Sequence, residues 1–186
     1  MTRWLIALVV AGTLAAAPTS VRADDLPSGQ LGTVGGVRQG TGQLGKVFGL
    51  GGMLGMRAGW QRSSTERNWS FGVGWEVLWG FFAANDPGIS NESLRLLEMN
   101  LGLRVRRLLG QETPRFLLMQ TGVTVLRSNV PIPPDSDRNY VGPYIGLGIE
   151  QYLMGRFLLS VEWRYGVLFG GPGSLTGLIA FSVGNR

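Results

Sequence analysis

The sequence predicts an all-β fold: an antiparallel up-and-down transmembrane β-barrel of eight strands, made behind an N-terminal signal peptide. Three observations carry this. Long segments alternate apolar residues with small or polar ones at a period of two. The small-or-polar set is dominated by glycine, which supplies 30 of the 186 residues, about twice the usual share. Beyond the first 23 residues, no stretch offers the ~20 consecutive apolar residues that a helical span needs.

The signal peptide is read from residues 1–23. Arg3 supplies the positive n-region, Trp4 to Ala17 the apolar h-region, and Val21-Arg22-Ala23 places small residues at −3 and −1 before Asp24. Pro18 and Arg22 follow the apolar run too promptly for a membrane-spanning helix. Cleavage leaves residues 24–186 as one barrel domain of 163 residues (186 − 23). Loss of Arg3 and Arg22 lowers the formal charge from +5 to +3. With no run of five or six like charges, this surplus gives no nucleic-acid tail. There is no cysteine, so neither a disulfide framework nor a thiolate metal site is available.

The alternation is clearest from Trp69 to Phe82. Trp69, Phe71, Val73, Trp75, Val77, Trp79 and Phe81 share one parity; Ser70, Gly72, Gly74, Glu76, Leu78, Gly80 and Phe82 share the other. A helix would mix these sets around its circumference, whereas a strand puts them on opposite faces. The same division marks Val47 to Trp60, Leu97 to Leu109, Phe116 to Leu126, Tyr140 to Leu153, Phe157 to Leu168 and Leu175 to Val183.

Those are seven strands, and the eighth follows from the connections. Breaks after Arg62, Gly110 and Met154 are short, whereas Ala83 to Asn91 and Ser128 to Arg138 are longer and rich in Pro, Asn and Asp. Outer-membrane barrels have short periplasmic turns, longer external loops and an even strand count. With the longer connections outside, the Val47 strand descends and an ascending strand must precede it. Gln30 to Arg38 is the candidate, Gly-rich and weakly patterned.

A wetted outer face would be rich in Lys, Asp, Glu and Asn; a narrow lumen explains glycine with sparse charges better. An eight-stranded barrel is just wide enough inside for side chains to fill it. Gly72, Gly74, Gly102, Gly122, Gly146, Gly148 and Gly166 then leave room for long neighbours. The lumen-parity polar set is Arg57, Glu76, Glu98, Asn100, Arg104, Arg106, Gln120, Glu150, Glu162 and Arg164. Its four arginines against four glutamates point to a paired polar interior, since unpaired buried charge costs several kcal/mol. On the other parity, Trp60, Trp69, Trp79, Trp163 and Tyr165 fall near strand ends or shoulders, as aromatic girdles do; Trp75 sits closer to mid-strand. Arg95, Arg107 and Arg127 share that parity, near strand ends where long cations can reach water.

The signal peptide, strand count and charged interior together resemble the small outer-membrane barrels of the OmpA, OmpX and OmpW type, by pattern and over nearly the whole mature chain. That resemblance implies residence in a Gram-negative outer membrane, with membrane lipid and the barrel-assembly machinery as partners. Members usually end in an aromatic residue; here the C-terminus reads Phe181-Ser-Val-Gly-Asn-Arg186. The expectation is a barrel without the peptidoglycan-binding domain that follows it in full-length OmpA-like proteins.

Other motifs give way to this reading. Gly40 to Lys46 fits a phosphate-loop pattern, but Val47 stands where Ser or Thr would hold magnesium and a strand follows. Gly51, Gly55 and Gly59 fit a helix-packing motif, yet four-residue spacing also stays on one strand face. Asn68-Trp-Ser70 and Asn91-Glu-Ser93 are glycosylation sites by formula only. The chain has no histidine, so nucleophile activation and most transition-metal sites lack their usual base and ligand. Glu76 and Glu98 are carboxylates that could act as an acid–base pair, and arginine pairing is the simpler assignment. The expectation is a non-enzymatic barrel with a structural or narrow-pore role, without cofactor or metal. The alternatives are an envelope or host-surface binding module acting through external loops, and a soluble periplasmic barrel carrying an apolar ligand.

Overall fold

The computed structural model describes residues 28–41, 48–64, 68–84, 94–110, 115–129, 138–154, 156–169 and 173–185. The signal peptide, most of the Gly40 to Lys46 motif and the Asn91 sequon lie outside these residues. The strands are β1 (Gly29–Gly40), β2 (Phe48–Ser64), β3 (Trp69–Ala84), β4 (Leu94–Gly110), β5 (Arg115–Ser128), β6 (Asn139–Met154), β7 (Phe157–Val167) and β8 (Gly173–Asn185). Each pairs antiparallel with its sequence neighbours, and β1 pairs with β8 to close the barrel. Closure satisfies the backbone groups within the wall and leaves no open edge.

The weakly patterned Gln30 to Arg38 segment forms most of β1. Its glycines carry no pattern of their own, but Gly36 shows why they are there. A Cβ on it would lie 2.0 Å from the Gly177 carbonyl oxygen and 2.9 Å from Leu178, so the β1–β8 seam closes tightly only over a bare backbone.

The register sets the geometry of the wall. The ladder runs from Gly29 through Trp60, Val73, Leu103, Thr121, Ile145, Tyr165 and Leu175, then re-enters β1 at Gln39. The offset of ten residues (39 − 29) over eight strands tilts them by about 40° to the barrel axis. Connections at residues 41–47, 85–93, 129–138 and 168–172 gather at one end, here termed upper. Those at 65–68, 111–114 and 155–156 gather at the lower end.

Local exceptions sit where the ladder permits them. Asn68 adopts a left-handed backbone (φ 53°), which Asn tolerates better than most residues, and its carbonyl accepts a hydrogen bond from Leu108 N at 2.9 Å. Pro143 lies inside β6, opposite Val123. The β6–β7 pairing ends at Tyr144 and Gly166. Because Val141 offers its carbonyl to Phe169 N on the β7 side, the missing N–H of Pro143 faces that side too, just past the last pair.

Candidate functional site

Even-numbered residues face inward in β1 and in β3 to β8, and odd-numbered ones in β2. The outer face is apolar between the strand ends: Leu54, Leu101 and Ile145 are each more than 60% exposed. The inner face is layered.

At the lower end Phe116, Tyr152 and Leu158 pack together with Leu108 against them, Phe116 and Tyr152 edge to face with centroids 6.0 Å apart. Above them lies a dense ionic network. Glu162, with no exposed surface, is its hub. It accepts from Arg57 Nη1 at 2.5 Å, Arg164 Nη2 at 2.8 Å, Gln120 Nε2 at 2.8 Å and the Ser160 hydroxyl at 2.8 Å. Arg57 also donates to Glu76 at 2.6 Å, and Arg164 grips both oxygens of Glu76. Arg104 binds Glu150 at 2.6 Å and lies 3.6 Å from Glu162. Arg106 pairs with Glu150 and donates to Gln30 at 3.0 Å. These pairs join β2 to β7, β3 to β7 and β4 to β6, so they cross the lumen as well as run along the wall.

Glu98 stands apart from this network. It pairs with Arg38 of β1, while Asn100 donates to it at 2.7 Å and Thr124 donates on to Asn100 at 2.6 Å. Arg38 also donates to Thr176 at 3.0 Å. Between this pair and Arg164 lies a cavity of about 20 Å³, bounded by Asn100, Thr124, Tyr144 and Thr176 among others, room for a single water. An apolar cluster occupies the upper end, with Phe82, Leu94, Leu96, Leu126, Tyr140 and Leu168 at the strand tips.

All ten lumen-parity polar residues named from the sequence are buried. The four-against-four charge balance needs correction, because Arg38 makes five arginines against four glutamates among the described lumen residues. The signal was obscured because β1 has too few side chains for its parity to show. Gln30, Ser160 and Thr176 belong to the network as well and lack any sequence signature beyond parity. Glu76 and Glu98, considered above as an acid–base pair, are held in separate ion pairs.

The inward glycines serve this packing. A Cβ on Gly146 would come within 2.8–3.0 Å of Gln120 and Arg164 side-chain atoms, and one on Gly102 within 2.2 Å of the Tyr144 hydroxyl. At these two positions a long side chain lies against bare backbone, whereas Gly122 and Gly142 are faced by backbone itself, where a Cβ would meet the Leu101 and Val167 carbonyl oxygens at 2.1 and 1.9 Å.

No protein-family model matches the chain, and no curated protein matches it by sequence. Solved structures do match. Neisserial surface protein A (NspA) superposes with a TM-score of 0.59 at 12% identity, covering 85% of this chain and 97% of that one. The attachment invasion locus protein Ail of Yersinia pestis gives 0.53 at 11%, covering 84% and 95%. The outer membrane enzyme PagL gives 0.51 at 11%, covering 84% and 99%. The chain therefore has the fold of the small eight-stranded outer-membrane β-barrels.

Proposed function

We propose that this chain is a non-enzymatic outer-membrane barrel with a structural role, its lumen closed by its own side chains. The observation that carries the reading is the set of arginine–glutamate pairs crossing the lumen from β2 and β3 to β7 and from β4 to β6. Fixed pairs of this kind fill the path an ion would take, and the apolar clusters at both ends oppose wetting of what remains. The apolar outer face suits a lipid environment. A narrow-pore role would require the cross-lumen pairs to part.

The similarity to PagL lies in fold, and a fold hosts many functions. Without a histidine anywhere in the chain, a hydroxyl nucleophile lacks its usual base, and the Ser160 hydroxyl is committed to Glu162 and to Arg57. A second reading, a surface-binding module, draws support from the gathering of the longer connections at one end. On either reading the chain is exported through a cleaved signal peptide and inserted by the assembly machinery, with the upper end outside.

Membrane fractionation with heat-modifiability on a gel, followed by planar-bilayer conductance, tests the proposal. The expected result is a heat-shifted membrane species that carries no steady current. Recovery as a soluble periplasmic protein would defeat the membrane reading. A steady ohmic conductance in the unmodified protein would replace the closed barrel with the pore.

A further inference from the structure

The upper rim of the barrel is uneven around its circumference. Leu50 of β2, Phe81 of β3 and Phe169 after β7 approach the upper end as bare apolar side chains, 63%, 58% and 73% exposed. The β4–β6 sector instead ends in exposed Arg95, Arg127 and Arg138 with exposed Asn129 and Asn139.

The backbone brings these residues together. Arg127 pairs with Leu97 on one side and Asn139 on the other. Arg95 is clamped to Asn129, its N–H donating to the Asn129 side chain at 2.8 Å and its carbonyl accepting from Asn129 N at 3.1 Å. Arg95 and Arg127 are therefore diagonal cross-strand neighbours on the outer face, about 7–8 Å apart. Arg138 is tied to the same strands through its carbonyl, which accepts from Ser128 N at 2.8 Å, but it shares the inward parity of Ser128, so the outer-face pair is Arg95 and Arg127. Like charges on diagonal neighbours repel, and neither Arg95 nor Arg127 has a carboxylate partner among the described residues. Directly below them, Leu97, Val125 and Val141 continue the apolar surface.

A generic need to anchor the rim in water would be met by cations spread around it. Two arginines on diagonal positions of the outer face, above an apolar strip and beside apolar sectors, match a molecule with a compact anion at one end and acyl chains at the other. We propose that this sector binds the phosphate headgroup of an anionic membrane lipid, with the acyl chains along Leu97, Val125 and Val141. Guanidinium groups recognise phosphate oxygens with paired hydrogen bonds. More than one arginine at one point favours a doubly charged phosphomonoester over a singly charged phosphodiester. The inference rests on the membrane reading above, and its test is arranged so that the two can fail separately.

The mature chain, shown to be folded in detergent by heat-modifiability, is analysed by native mass spectrometry. The probes are phosphatidic acid, phosphatidylglycerol, phosphatidylcholine and inorganic phosphate. R95Q/R127Q is compared with R62Q/R107Q, a pair of outer-face arginines at the lower end, each variant passing the same fold check. The expected result is capture of phosphatidic acid in preference to the other three probes. R95Q/R127Q should weaken it by at least about tenfold, while R62Q/R107Q leaves it unchanged. Equal loss in both variants, or equal capture of phosphatidylglycerol, would reduce the effect to general surface charge and overturn the proposal. Preference for free phosphate over the lipid would overturn it as well. So would absence of capture by the unmodified chain, the result expected if Asp135 and Asp137, which precede Arg138 in sequence, neutralise the patch.

Discussion

The central lumen and the upper lumen both bury charge, but they do so differently. In the centre Glu162 is shared by several donors on β2, β5 and β7, and three glutamates are interleaved with four arginines. Nearer the upper end a lone Arg38–Glu98 pair lies close to Leu126, Leu168 and Leu178, which help bound the adjoining cavity. The outer face supplies a third case, where charge is confined to the strand ends. Buried charge is thus tolerated in proportion to how many partners surround it, and the centre of the barrel supplies the most.

Four variants probe that gradient. Glu162→Leu should have the largest effect, about 3–5 kcal/mol, because it removes the carboxylate that Arg57, Arg164 and Arg104 share and leaves the four central arginines with only Glu76 and Glu150 among the described residues. Urea unfolding of the reconstituted barrel measures it, and a cost near zero would mean that the hub is dispensable. Next comes Leu101→Arg, at mid-strand on the outer face between Trp75 and Val123, at about 2–4 kcal/mol in lipid. The same measurement on Leu109→Arg, at the lower end of β4, should give about 0–1 kcal/mol; equal costs at the two positions would contradict a lipid-facing wall. Smallest of all should be the double change R38M/E98L. Swapping a buried ion pair for apolar residues is often neutral or stabilising; an apolar cluster is already at hand, and what the swap forfeits is the hydrogen bonds to Asn100 and Thr176. Loss of more than about 3 kcal/mol in that variant would show that the upper pair is as integrated as the central one.

Much of the architecture was legible because a β-strand writes its two environments into alternate residues. In β3 the run from Trp69 to Phe82 separates an aromatic and apolar face from one carrying Ser70, Glu76 and five small or apolar residues. The lumen parity of Arg57, Glu76, Arg104 and Glu162 could be read from such runs. Arg38 could not, because the glycines flanking it in β1 leave no pattern to set its parity. Partner choice was also illegible. Glu98 shares its strand with Arg104 and Arg106, yet it pairs with Arg38 of β1, far away in sequence and across the barrel.

By itself, then, the sequence determined the strand count, the inward and outward faces and the chemistry of each. All of these follow from the two-residue repeat and the spacing of turn residues, which are local properties. The tertiary structure alone decided the offset of ten residues on closure, and with it the height of every side chain on the tilted wall. That offset places Arg57 within reach of Glu162 and Arg38 within reach of Glu98, while the pairing of β4, β5 and β6 sets Arg95 and Arg127 side by side on the rim. No periodicity within a strand encodes those heights, because they arise only from the register between strands and, across the lumen, from the meeting of the last strand with the first.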